Sequence, residues 1–333
     1  MKIVRMVGII SWLAVGAIVS PPAAEKSGNL EPIIFTTFIE TQQEILPARI
    51  MVESLRTFGG RFKDAPVWIY VSQEFQAAQT ESLAQFASLA AEVRTAEAPE
   101  NATWFYLARK VFAAAQAESA AKGNAAILAR LDPDTIFIRE PSEFILPEGK
   151  DLGYRPVFHR NICPLYDEPL DAYWSRAYEV MSIRRTALFP MVTPADEDTI
   201  RPYFQAGCVV VRPERRIMKK WEEMLILLAG NPVIKEICEK EPRKRLFTFQ
   251  VALTGAILNG VERDEMMEFS DRINYPIFFG EMFGAKRDFH DISDAVTVRY
   301  EHFFQNPPPD WETKLKGSAD RIAWIKEHFS RPH

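Results

Sequence analysis

Two aspartates one residue apart, Asp132 and Asp134, follow the apolar run Ala126-Ile-Leu-Ala-Arg-Leu131 without a break. Carboxylates at that spacing offer oxygen ligands to a hard divalent cation such as Mg²⁺ or Mn²⁺, which keeps open positions for phosphate oxygens and water. Asp-Pro-Asp is equally the composition of an ordinary turn. The chain resumes as Thr135-Ile-Phe-Ile138, so the pair interrupts a buried β region rather than capping a surface loop. Acidic groups in such a place need compensation, and a cation provides it.

The elements that would position the pair alternate between strand and helix. Pro32 to Phe38 reads as a first strand, and Pro66 to Val71 as one buried on both faces. Between them Leu46 to Phe58 carries one apolar helical face and stops at Gly59-Gly60. A helix from Gln73 to Ala90, a weak strand near Val93 and an alanine-rich helix from Thr103 to Lys122 follow, the last ended by Gly123. Tyr203 to Arg212 is a further buried strand, with helices from Arg215 to Ala229 and Phe247 to Leu258 after it. Val296 to Tyr300 is a last alternating strand, and Tyr154 to Asn161 is too polar for a core and too aromatic for a solvated linker. The pattern predicts an α/β domain with a mixed, mostly parallel sheet, in which runs 33–37, 67–71, 126–131 and 207–211 are neighbours. Sheets of this kind bind ligands beyond the carboxyl ends of their strands. Asp132 and Asp134 occupy such an end, as do Thr36, Thr37 and Phe38.

Composition removes other classes. With 23 Phe and 7 Trp the chain can bury a core, which excludes disorder, and 40 basic against 45 acidic residues without a basic stripe argues against a nucleic-acid partner. The uncharged run Met6 to Ser20, behind Lys2 and Arg5 and ahead of Pro21-Pro22, has the size of a signal-peptide core. Residues 1–24 are expected to be a signal peptide or a signal anchor, giving an exported protein with a possible membrane tether through residues 6–20. Cys163, Cys208 and Cys238 match no zinc framework, and a Cys163–Cys238 bridge is possible without being demanded.

The segment Leu131-Asp132-Pro-Asp134-Thr-Ile-Phe-Ile-Arg-Glu-Pro141 resembles the Asp-x-Asp segment of nucleotide-diphospho-sugar transferases of GT-A fold, near the glycogenin-like group. Ile34-Phe-Thr-Thr37 resembles their first nucleotide-binding strand, and Tyr203-Phe-Gln-Ala-Gly-Cys-Val-Val-Val211 their strand near the donor sugar. Phe249-Gln250-Val-Ala-Leu253 resembles a helix that often begins Asp-Gln, and Val298-Arg-Tyr-Glu-His302-Phe303 the strand supplying a late metal-binding histidine. The likeness runs from Pro32 to Trp311. It implies a single GT-A-like domain over residues 30–305, with 306–333 as an extension. It further implies metal-dependent glycosyl transfer from a nucleotide-diphosphate sugar, with Mn²⁺ or Mg²⁺ on Asp132, Asp134 and His302. Thr36, Thr37, Phe38, Asp132, Gln205, Gly207 and Gln250 would then bind donor, and Arg109 or Lys110 would pair with phosphate or with the aspartates, unless they are a solvated helix face.

The sequence also departs from that pattern. Gln205 stands where Asn or Asp is common, Thr248-Phe249 offer no acid before Gln250, and a lysine expected after His302 is replaced by Pro307-Pro-Pro-Asp-Trp311. A non-catalytic exported binding protein with a reduced site is therefore the alternative. A dehalogenase-type phosphatase would need its threonine one position later than Thr135, and Gly-x-Ser-x-Gly and glycine-rich phosphate loops are absent.

Overall fold

The structure is a computed structural model that describes residues 31–329. The expected export segment lies outside the described residues, and no helix among those described is long and apolar enough to cross a membrane. The strands are β1 (Ile34–Phe38), β2 (Val67–Val71), β3 (Ala91–Thr95), β4 (Leu128–Leu131), β5 (Thr135–Phe137), β6 (Leu152–Pro156), β7 (Met191–Val192), β8 (Thr199–Ile200), β9 (Phe204–Val211), β10 (Met266–Glu268), β11 (Tyr275–Pro276) and β12 (Thr297–Arg299). Seven of them form one sheet in the order β10-β6-β9-β4-β1-β2-β3, in which only β9 runs against its neighbours. The four apolar runs expected to be neighbours are β9-β4-β1-β2, in contact and in that order.

Both faces of this sheet are covered, which is why its strands read as unbroken apolar runs. Side chains alternate across it. Ile34, Leu128 and Val209 pack with the helices Ala108–Ala121, Ile217–Ala229 and Pro242–Gly260 on one side. Phe35, Ala129 and Val210 pack with the helix Ile45–Phe58 on the other. A smaller sheet, β11-β12-β5, sets β12 antiparallel to β5 with Arg299 opposite Thr135. Trp311, Leu315 and Ile325 of the C-terminal segment pack on it beside Ile136 and Val298.

Several expectations are corrected. The stretch Gln73 to Ala90 is three short pieces: a helix at Gln73–Ala78, a helix at Thr80–Ala84 and a 3-10 turn at Gln85–Leu89. Gln79 leaves helical geometry, and the Thr80 hydroxyl donates back to the Gln76 carbonyl at 2.9 Å. The alanine-rich helix begins at Ala108 rather than Thr103, because Leu107 sits in the left-handed region at φ 61°. The segment Tyr154 to Asn161, too polar for a core by its sequence, begins inside β6, which is fully buried. Arg155 is tolerated there because it donates to Asp271 at 2.6 Å and to the Phe269 carbonyl at 2.7 Å. All three cysteines are free and buried.

Candidate active site

A cleft of about 580 Å³ opens at the carboxyl ends of the parallel strands. Because β9 is reversed, its first residues reach the same end that β4 leaves. Leu131 pairs with Cys208, and the Asp132 amide donates to the Gly207 carbonyl at 2.9 Å. Gln205 and the Asp132–Asp134 turn therefore share one wall of the cleft. The antiparallel pairing of β12 with β5 brings Arg299 to the same turn, and the Tyr300 amide donates to the Asp134 carbonyl at 3.3 Å.

Asp132 is held by three cations. Its Oδ1 accepts from Lys110 Nζ at 3.1 Å and from Arg130 Nη2 at 2.5 Å, and its Oδ2 faces Arg299 Nη1 at 2.9 Å. Burial alone would raise its pKa, but Arg130, Lys110 and Arg299 outweigh that and hold the carboxyl well below its ordinary range. Asp134 is different. Its Oδ2 accepts from Arg299 Nε at 3.1 Å, while its Oδ1 is buried with no partner. Burial pushes its pKa up to about 7, with Glu301 and Asp132 adding like-charge repulsion that Arg299 only partly offsets. Glu301 also lies 3.1 Å from Arg299 Nε, from a residue in the left-handed region at φ 48°. Burial and the neighbouring Arg130 and Arg299 charges lower the Lys110 pKa, against the pull of Asp132.

The other expected site residues divide. Gln205 and Gln250 border the cleft, and each spends a side-chain oxygen on β9, accepting from the Gly207 amide at 3.0 Å and the Ala206 amide at 3.3 Å. Thr36, Thr37 and Phe38 are buried in β1 and do not line the cleft; Thr36 Oγ1 donates to the Trp68 carbonyl at 3.2 Å. Arg109 points away, to Glu40 at 3.1 Å, which is the solvated-face outcome for this one of the two cations. His302 borders the cleft. It does not complete a donor set with the aspartates, since among the described residues no three His, Cys, Asp or Glu side chains converge as metal ligands.

The fit of a divalent ion can be judged from these contacts. Both Asp132 oxygens and one Asp134 oxygen already face resident cations, leaving Asp134 Oδ1 as the free carboxylate oxygen of the pair. As arranged, the pair does not fit a divalent ion.

Two groups, one beneath the cleft and one at its border, carried little or no signal of their own. Arg130 lies two residues before Asp132 on β4, hence on the same face, inside a run that is otherwise apolar. His159 borders the cleft, stacked on Phe279 with ring centroids 4.8 Å apart. Its Nδ1 is bonded to Asp196, and its Nε2 has no partner. Phe283 lies edge-on to the same imidazole and is 52% exposed, and Phe247 and Phe249 face the cleft from the helix Pro242–Gly260. His159, Phe279 and Phe283 thus form an aromatic part of the cleft wall, while Phe249 lies 5.2 Å below Lys110 Nζ beside the ionic cluster.

Comparison with known proteins places this geometry in context. The family model described as "Rhodobacterales glycosyltransferase domain" matches residues 36–259. No curated protein matches the chain. Among solved structures, the galactosyltransferase LgtC in complex with donor and acceptor sugar analogues is similar at 14% identity, with 89% of this chain and 94% of that chain covered and a TM-score of 0.46. Mouse xyloside xylosyltransferase 1 in its apo form is similar at 9% identity, covering 81% of this chain and 97% of that one, with a TM-score of 0.43.

Proposed function

The chain belongs to the Rhodobacterales glycosyltransferase domain family, and from that premise we propose that its cleft moves a sugar from a nucleotide-diphosphate donor to an acceptor hydroxyl. The observation that carries this reading is the convergence of Lys110, Asp132, Asp134, Gln205, Gln250 and Arg299 on one cleft at the strand ends. Breaking the bond between the anomeric carbon and the β-phosphate leaves its electron pair on a phosphate oxygen. Fixed positive groups at that point stabilise the charge as it develops, which is where electrostatic catalysis is most effective. Lys110 and Arg299 border the cleft there, while Arg130 beneath them holds Asp132. Asp134 Oδ1 is the acceptor left over for a hydroxyl of the donor.

The acceptor belongs at the aromatic part of the wall. Nδ1 of His159 is bonded to Asp196 and Nε2 is buried without a partner, so Nε2 is the position that receives the proton of the attacking hydroxyl once the acceptor opens a path to it. Phe279 and Phe283 beside it give apolar faces on which a sugar ring can lie. The export reading of residues 1–24 is kept as part of this proposal. Deleting them should leave a folded domain, and loss of cooperative unfolding in the truncated protein would refute it.

Thermal unfolding with a panel of nucleoside diphosphates and nucleotide sugars tests the donor assignment. One base should raise Tm in a concentration-dependent way, in wild type and not in Gln250→Ala with Lys110→Ala combined. A panel without any shift at millimolar ligand would contradict it. Binding without turnover of any sugar would instead support the non-catalytic alternative.

A further inference from the structure

We propose that Arg299 is the resident cation of this cleft, a guanidinium built in between Asp132 and Asp134 that faces the leaving diphosphate in place of an exchangeable divalent ion. This rests on the nucleotide-sugar reading above. Three carboxylates surround it: Asp132 at 2.9 Å, Asp134 at 3.1 Å and Glu301 at 3.1 Å. With Lys110 and Arg130 also on Asp132, three positive groups meet three negative ones, so the cluster is compensated by the chain itself.

The second observation is Gly207. A Cβ at that position would come within 2.0 Å of Arg299 Nη1 and 2.9 Å of Asp132 Oδ2. Gly207 sits inside an eight-residue, fully buried strand, where glycine otherwise weakens the strand and gives nothing to pack. Its missing side chain is the room the guanidinium occupies. The planar fork also has capacity to spare. Nε and Nη1 make the three carboxylate contacts, and Nη2 is in none of them, which leaves its N–H groups for phosphate oxygens.

The test uses the chain as it stands. Uridine, guanosine, adenosine and cytidine diphosphates are titrated calorimetrically in EDTA and again in excess Mn²⁺, and Mn²⁺ alone is followed by electron paramagnetic resonance. Wild type should bind one nucleotide in EDTA, with affinity changed by no more than about threefold in Mn²⁺. Arg299→Ala should bind Mn²⁺ alone at least about tenfold more tightly than wild type, because Asp134 and Glu301 are left uncompensated and Asp132 Oδ2 is freed while Lys110 and Arg130 keep Oδ1, and should need Mn²⁺ to bind nucleotide. A merely structural arginine would not produce that gain. If Arg299→Ala fails to fold, Gly207→Ala displaces the guanidinium with one methyl group and should show the same direction. Nucleotide binding by wild type only in Mn²⁺, or unchanged Mn²⁺ affinity in a folded variant, would overturn the inference while leaving the donor reading intact. No nucleotide binding under either condition would overturn both.

Discussion

Glu118 and Asp134 are both buried carboxyls beside the central sheet, and burial pushes both up to about 7. Their surroundings differ. Glu118 accepts from the backbone amides of Met218 at 3.1 Å and Lys219 at 2.9 Å, so both of its oxygens cap the first turn of the helix Ile217–Ala229. Asp134 gives one oxygen to Arg299 and the other to nothing, at the edge of a cleft. A raised pKa records burial in both places. An acceptor left unsatisfied beside an open cleft is what separates a site from a cap.

The comparison breaks most visibly on activity. Asp134→Asn should lower sugar transfer by about 100-fold or more while Tm stays within a few degrees, because the amide is close in size and shape to the carboxylate and keeps an oxygen that can accept from Arg299 Nε. Glu118→Gln should leave transfer unchanged in steady-state kinetics. His159→Ala, at the aromatic part of the wall, should lower kcat by about 100-fold and leave donor affinity unmoved, as loss of a proton acceptor requires. Donor affinity falling in parallel with kcat would place His159 on the donor side.

On stability the order reverses. Glu118→Ala removes a cap and opens a cavity, and should cost about 2–3 kcal/mol in denaturant unfolding. Asp134→Asn should cost less than half of that. The pH dependence sharpens the point. For Glu118 the folded pKa of about 7 lies above the ordinary 4.5, so between those values the native state holds a proton that the unfolded chain has lost. Stability must then fall as pH rises from about 4.5 to 7, and Glu118→Gln should flatten that slope in a pH series of Tm values. The smallest effect belongs to Arg109→Ala. Its partner Glu40 is half exposed, and neither stability, within about 0.5 kcal/mol, nor transfer should change.

How much of this was legible in the sequence follows from the range of the interactions. β1, β2, β4 and β9 could be read because burial on both faces writes itself as a local apolar run. β6 could not, since Arg155 is made tolerable by Asp271, 116 residues away. The Asp132–Asp134 turn was visible for the same local reason, two acids interrupting apolar sequence. Arg299 had no such signal. Its role depends on β12 pairing with β5 and on the space left by Gly207, both long-range facts. Thr36, Thr37 and Phe38 lie at a strand end, but side chains in a covered strand point into packing rather than along its axis. The His159–Asp196 pair joins residues 37 apart across two loops, and neither residue alone distinguishes itself from a packed or solvated one.

The central claim is that the cleft around Asp134 and Arg299 releases a nucleoside diphosphate from a sugar donor. It is tested most directly by measuring that release from a panel of nucleotide sugars, in EDTA, for wild type and Asp134→Asn side by side. Wild type should turn over at least one donor, and the variant should do so about 100-fold more slowly while folded to the same extent. Turnover of no donor by wild type, or equal rates for the two proteins, would contradict it.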